Sequence, residues 1–195
     1  MPMIYKLFKL LKKIKFFFHP KYCITGKSNS IHADGIVENL SNDATKIKIG
    51  ENCVIKGKLL VFAHDGEIII GNNVFIGERT EIWSSKSIKI GNNVQISHNV
   101  NIADTNSHPV DHKLRAQHYL EIIKKGHPRS GKLTDNIIAK PIVIDDYVWI
   151  GHSSSIKKGV KIGKNSIISS NSIVIKNVPP NKVYYNLIKS FCNEL

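Results

Sequence analysis

The sequence predicts an all-β solenoid of short strands and tight corners, preceded by one amphipathic helix and interrupted by one long loop. Aliphatic residues recur every six positions through much of the chain. A lysine-rich segment with helical apolar spacing comes first, and the six-residue rhythm breaks off over a polar stretch near residue 103.

The opening segment, MPMIYKLFKLLKKIKFFFHP, has Ile4, Leu7, Phe8, Leu11, Ile14 and Phe18 at three- and four-residue steps, with lysines on much of the other face. This spacing predicts a basic amphipathic helix over residues 1–20, ended by His19-Pro20. Two readings of it stand: a peripheral contact with an anionic membrane, or a helix packed on its own domain or a neighbouring subunit. Lysines 6, 9, 12, 13 and 15 leave no uninterrupted apolar core of a signal peptide. No later segment has the roughly 18 apolar residues that a membrane span needs. Cys23, Cys53 and Cys192 are odd in number, widely spaced and without a CxxC pair, which argues against a disulfide framework and a zinc knuckle. A cytoplasmic protein is expected.

With 28 Lys and Arg against 15 Asp and Glu the formal charge is +13, which favours a negatively charged partner. A phosphorylated cofactor, an acidic glycan and an anionic membrane all fit. Nucleic acid is not expected, because the chain lacks a recognition helix, zinc-finger spacing and an aromatic RNP motif.

The repeat is clearest in IDDYVW, IGHSSS, IKKGVK, IGKNSI, ISSNSI and VIKNVP, where Ile144, Ile150, Ile156, Ile162, Ile168 and Val174 stand six apart. Weaker copies begin at Ile49, Ile70, Ile76, Ile90 and Ile96. Six matches neither the 3.6-residue period of a helix nor a long alternating strand, so each unit reads as a short strand plus a corner. The aliphatic residue points inward and the following Gly or small polar residue turns the chain. The eight-residue step from Ile82 to Ile90 marks a small corner insertion. One repeat domain is expected over residues 21–181, with a short tail over 182–195.

Residues 103–141 form the long interruption and hold His108, His112, His118 and His127. Long loops on rigid scaffolds are favoured sites of function. A histidine there suits general-base chemistry at neutral pH. Pro109 biases His108 toward an extended backbone. Asp104 and Asp111 are the nearby carboxylates that would orient its second nitrogen, and sequence does not choose between them. His118 and His127 read as ordinary loop histidines, and YLEIIKK as a short helix.

The motifs HPVDHKLR and KPIVIDDYVWIG resemble the galactoside, maltose and polysaccharide O-acetyltransferase branch of the hexapeptide-repeat acyltransferases. The resemblance implies a left-handed parallel β-helix with three hexapeptides per triangular coil, and a homotrimer with active sites between subunits. It implies acetyl-CoA as co-substrate and a sugar hydroxyl as acceptor, on a surface polysaccharide or its precursor. His108 matches the catalytic histidine of that branch, and Trp149 the tryptophan beside the pantetheine arm and the acceptor. Gly151, Ser170 and Lys176 match positions along the coenzyme A groove, Lys176 toward a phosphate. His112 falls where that branch also tends to carry a histidine and is the reserve candidate for the base, and His112 and Arg115 are the further acceptor candidates. The ending YYNLIKSFCNEL departs from the family pattern, leaving Lys182 or Lys189 to supply its usual basic contribution. N-acetylation of an amino sugar, free or nucleotide-linked, is one alternative on this fold. Another is a zinc enzyme like the γ-type carbonic anhydrases, using His98, His108 and His112, but the two motifs favour acyl transfer and no metal is expected.

Overall fold

The computed structural model describes residues 22–127 and 136–187. The helix expected over residues 1–20 lies outside the described residues, as does the tail beyond residue 187. The chain winds through coils of three short strands. The first coil comprises β1 (Ile24–Thr25), β2 (Ser30–Ile31) and β3 (Ile36–Asn39), and the second β4 (Ile47–Ile49), β5 (Val54–Ile55) and β6 (Lys58–Val61). Then follow β7 (Ile68–Ile70), β8 (Phe75–Ile76) and β9 (Glu81–Ser84), and β10 (Ile88–Ile90), β11 (Gln95–Ile96) and β12 (Asn101–Ala103). After the long loop and its helix α1 (His112–Lys125) come β13 (Ile142–Ile144), β14 (Trp149–Ile150) and β15 (Ser155–Lys157). The last strands are β16 (Lys161–Ile162), β17 (Ile167–Ile168), β18 (Ile173–Val174) and β19 (Val183–Tyr184).

Equivalent strands of successive coils pair in parallel and make the three faces of a prism. Face A runs β1-β4-β7-β10-β13-β16, face B β2-β5-β8-β11-β14-β17-β19, and face C β3-β6-β9-β12-β15-β18. The coils form a left-handed β-helix, an exception to the right-handed crossover preference. The loop interrupts the sequence without interrupting the ladder, since Ile88 pairs with Ile142 and Ile90 with Ile144 across it. Among the described residues no helix is long and apolar enough to cross a membrane.

The six-residue period is a packing requirement. Ile55, Ile76, Ile96, Ile150 and Ile168 stack inward from face B, and Leu59, Ile82, Ile102, Ile156 and Val174 from face C, all fully buried. Ile47, Ile68, Ile88 and Ile142 do the same from face A. Each such side chain contributes about 1.5–3 kcal/mol of burial, and no single coil can bury its own inward face. The outermost inward residues, Cys23, Ile31 and Val37 at one end and Tyr184 at the other, are only partly buried.

Corners between faces A and B explain the recurring Gly-Asn-Asn. Asn72 Oδ1 accepts from the Glu51 amide at 2.8 Å, Asn92 Oδ1 from Asn72 at 2.9 Å, and Asp146 Oδ1 from Asn92 at 2.7 Å. Side chains thus satisfy corner amides that no strand pairs. The next residue is left-handed, with φ of 57° at Asn73, 56° at Asn93 and 60° at Asn165, a region Asn tolerates. Tyr147 fills the same position at φ 59°. A bulky side chain there costs about 1–2 kcal/mol, and the cation–π contact of Lys164 Nζ, 5.5 Å from the ring centre, returns only about 0.5–1 kcal/mol at an exposed site. Tyr147→Asn is therefore expected to stabilise the fold by about 1 kcal/mol. Urea unfolding at neutral pH checks this, and a lowered midpoint would refute it.

Candidate functional site

The loop starts and ends at one buried carboxylate. Asp104 follows β12 and has no exposed surface. Its Oδ2 accepts from Ser84 Oγ at 2.8 Å and the Lys86 amide at 2.9 Å, and its Oδ1 from the Ser85 amide at 2.8 Å. These donors run from the last residue of β9 into the turn before β10, which is the corner insertion expected from the Ile82–Ile90 step. The Asp104 carbonyl accepts from the Lys140 amide at 2.8 Å, so the residue also ties the returning end of the loop. Burial pushes its carboxyl above the usual range, while the Ser85, Ser84 and Lys86 hydrogen bonds pull it back.

Beyond this base, Asn106 clips the two strands of the loop together. Its amide donates to the Ile138 carbonyl at 3.2 Å and its Oδ1 accepts from the Ile138 amide at 2.7 Å. The same side chain donates from Nδ2 to the His108 carbonyl at 2.9 Å, while the His108 amide donates to the Asn106 carbonyl at 2.6 Å. His108 is thus held by its backbone on both sides, with an exposed ring and a buried Pro109 next to it.

Helix α1 is longer than the short YLEIIKK helix expected. Its start is Asp111, whose carboxylate caps the Lys113 and Leu114 amides at 3.0 and 2.9 Å, and Lys124 and Lys125 occupy its last turn. Gly126 ends it at φ 76°. Asp111 and Gly126 bracketing the segment were the sequence signals for the full helix. Arg115, in the first turn, donates to the Val110 carbonyl at 2.8 Å and the Pro109 carbonyl at 3.4 Å, bracing the His-Pro-Val turn from below. His112 is exposed, and its Nδ1 lies 3.9 Å from Asp111 Oδ2.

The helix also delivers His118, which sequence reasoning had set aside. Its Nδ1 lies 3.1 Å from His108 Nδ1, with ring centres 5.3 Å apart in an edge-on arrangement. Neither Asp104, committed to the Ser84–Lys86 turn, nor Asp111, committed to the helix cap, orients His108. His118 is half-buried, and burial holds its imidazole below the ordinary histidine value. His108, His64 and His127 push it further down, against Glu121, which raises it.

The other candidate residues lie elsewhere on the prism. Trp149 stands on face B, 50% exposed, its indole 3.4 Å from Ser97 Oγ. At the corner between faces B and C, a Cβ on Gly151 would come within 2.5 Å of the Ser170 amide and 2.7 Å of its Oγ, so the close stacking of these coils demands glycine. Beside them His98 and His152 stack with ring centres 5.2 Å apart. Lys176 follows β18 at the corner between faces C and A, exposed and without an ion pair among the described residues. Lys182 is exposed, and Lys189 lies outside the described residues. His98, His108 and His112 do not converge: one is on the B/C corner, one on the loop and one on α1. Among the described residues no three His, Cys, Asp or Glu side chains form a metal-binding group.

Comparison with known proteins agrees with this architecture. Residues 141–176 match the model of the bacterial transferase hexapeptide (six repeats), and residues 67–103 that of the hexapeptide repeat of succinyl-transferase. A galactoside O-acetyltransferase of Escherichia coli is 35% identical over 135 residues, covering 69% of this chain and 57% of that protein. Another, of Lactococcus lactis, is 30% identical over 158 residues, covering 71% of this chain and 58% of that protein. The chain thus spans somewhat more than half the length of these relatives. Among solved structures, AntD, an N-acyltransferase from Bacillus cereus in complex with dTDP and 3-hydroxybutyryl-CoA, superposes with a TM-score of 0.64 at 16% identity, covering 90% of this chain and 83% of that one. A hexapeptide-repeat acetyltransferase of Vibrio cholerae gives 0.53 at 20% identity, covering 91% and 81%. At these identities the structures speak for the fold alone. Repeat models on both sides of the loop, the galactoside O-acetyltransferase relatives and the stacked parallel coils agree: the chain belongs to the hexapeptide-repeat acetyltransferase family.

Proposed function

We propose that this chain transfers an acetyl group from acetyl-CoA to a sugar hydroxyl, on a surface polysaccharide or its precursor, with His108 as general base. The observation that carries this reading is the exposed imidazole of His108 on a clamped His-Pro-Val turn, in a chain related to galactoside O-acetyltransferases. In the reaction His108 takes the hydroxyl proton as the oxygen attacks the thioester carbonyl. The new C–O bond forms, the C–S bond breaks, and the departing thiolate recovers the proton from the imidazolium. Backbone amides are the natural donors to the intermediate oxyanion.

Trp149 lies beside the pantetheine arm and the acceptor, Gly151 and Ser170 line the groove, and Lys176 meets a phosphate. His112 contacts the acceptor, and Arg115 acts chiefly by bracing the turn. His108 rises from the C/A corner, whereas Trp149 is on face B and Gly151 and Ser170 are at the B/C corner. Base and groove come together when the edge of one prism meets that of the next, which supports a homotrimer with sites between subunits.

Thiol release from acetyl-CoA, followed across galactosides, maltose, acidic oligosaccharides and a dTDP-linked amino sugar, tests the reading. An ester product on a hydroxyl sugar is expected. Amide formation on the amino sugar alone would overturn the O-transfer assignment, and a strictly monomeric protein in light scattering would remove the proposed site.

A further inference from the structure

The loop brings together two imidazoles through the same atom on each ring, and this pairing constrains where their protons lie. His108 Nδ1 and His118 Nδ1 are 3.1 Å apart, so a hydrogen bond between them requires one nitrogen to carry a proton and the other a lone pair. Two protonated rings cannot share this contact, because both Nδ1 atoms would then be donors. The pair therefore holds at most one positive charge at this distance. His118 is the ring less able to carry that charge, since it is half-buried and His64, from the turn after β6, and His127, beyond α1, act against a positive charge on it. Glu121, three residues along α1, is the acidic group acting on it, and it is exposed.

We propose that His118 is the positioning residue of His108: its neutral Nδ1 accepts from His108 Nδ1–H, fixing His108 in the tautomer whose Nε2 lone pair is free to act as base. The inference rests on the acyl-transfer reading for its catalytic consequence and on the loop geometry alone for its structural part. The tautomer of a histidine is set by the bond its other nitrogen makes. Here that bond is also the one the imidazolium needs. When His108 takes a proton at Nε2, its Nδ1–H is already directed at an acceptor and neither ring has to turn. The reverse arrangement, with His118 donating, would occupy His108 Nδ1 with an incoming proton and place the other hydrogen of the neutral ring on Nε2, where it blocks the base. Helix α1 sets the partner at the right height because Asp111 fixes its first turn and Arg115 holds that turn against the Pro109 and Val110 carbonyls.

The experiment combines a spectroscopic signature with turnover. In the full chain labelled with ¹⁵N-histidine, two-bond ¹H–¹⁵N correlations at a pH where both rings are neutral are expected to show His108 protonated at Nδ1 and bare at Nε2. His118→Phe keeps the ring shape and removes the acceptor, so His108 should revert toward the Nε2-protonated form that an unconstrained imidazole prefers. His118→Asn sets an amide oxygen where Nδ1 stood and should restore the wild-type pattern. With acetyl-CoA and the best sugar acceptor found, His118→Phe is expected to lower kcat by about 10- to 100-fold, the usual effect of losing a residue that orients a functional histidine. KM for acetyl-CoA should stay unchanged, and His118→Asn should recover most of the rate. An unchanged His108 tautomer in His118→Phe overturns the proposal, as does an equal loss of kcat in the Phe and Asn variants. Absence of acetyl transfer in the wild type rejects the transferase reading instead, and the tautomer measurement then decides the role of His118 alone.

Discussion

Replacing His108 by alanine is expected to lower kcat for acetyl transfer by about 10²- to 10⁴-fold, the contribution typical of a positioned general base. KM for acetyl-CoA should change little, because His108 is proposed to act on the acceptor hydroxyl and the proposed groove residues Trp149, Gly151, Ser170 and Lys176 are all retained. The fold should survive. The ring is exposed, its contact among the described residues is with His118, and the bonds that hold the turn run through the His108 backbone to Asn106, which alanine keeps. A thermal melt matching the wild type would establish that point before rates are compared. His112→Ala serves as the contrast, since His112 is exposed on α1 beside Asp111 and forms no hydrogen bond, ion pair or ring contact with His108 among the described residues. Full activity in His108→Ala, with loss in His112→Ala, would remove His108 from the role of base and transfer it to His112.

The coils were legible because their inward positions tolerate little but an aliphatic side chain, so packing writes its period into the sequence. Ile144 to Val174 keep that period without a break, and all are buried. The first coil was less legible, since Cys23, Ile31 and Val37 close an open end where burial is partial and the demand on side-chain type is weaker. The corner insertion was visible as a spacing. Its purpose was not: Asp104 receives the Ser84–Lys86 turn through space, and sequence distance alone gives no reason to join them. His118 escaped for a related reason. It lies ten residues from His108, and only a helix starting at Asp111 and braced by Arg115 carries it back to the turn. The caps at Asp111 and Gly126 were readable, but a rotamer that aims one imidazole at another was not.

Asp104→Ala is expected to destabilise the protein by about 3 kcal/mol at neutral pH, measured by urea unfolding. The substitution leaves the Ser85 and Lys86 amides facing a cavity, and each stranded buried donor costs about 1–3 kcal/mol. Ser84 Oγ also loses its acceptor, although it keeps the bond it receives from the Glu67 amide at 3.2 Å. Removing the carboxylate relieves its desolvation, which offsets part of the loss and keeps the total below the sum of the stranded donors. The pH dependence has a definite sign. Burial raises the folded-state pKa of Asp104 above its value in the unfolded chain, so the folded state binds the proton more tightly. Stability from this group therefore falls as pH rises from the unfolded value toward the folded one, and is constant above the latter. The variant lacks this titration, while the other carboxylates titrate in both proteins and cancel in the difference. The stability gap between wild type and Asp104→Ala should accordingly widen as pH falls from neutrality toward the ordinary aspartate value near 3.8. A gap that narrows on acidification would mean that the hydrogen bonds from Ser84, Ser85 and Lys86 outweigh burial and that the folded-state value is depressed. Because Asp104 also holds the Lys140 amide through its carbonyl, loosening this residue should expose the loop base. Faster proteolysis within residues 103–141 of the variant, under conditions where the coils stay folded, is the expected companion result, and it ties the placement of His108 to a carboxylate that never touches it.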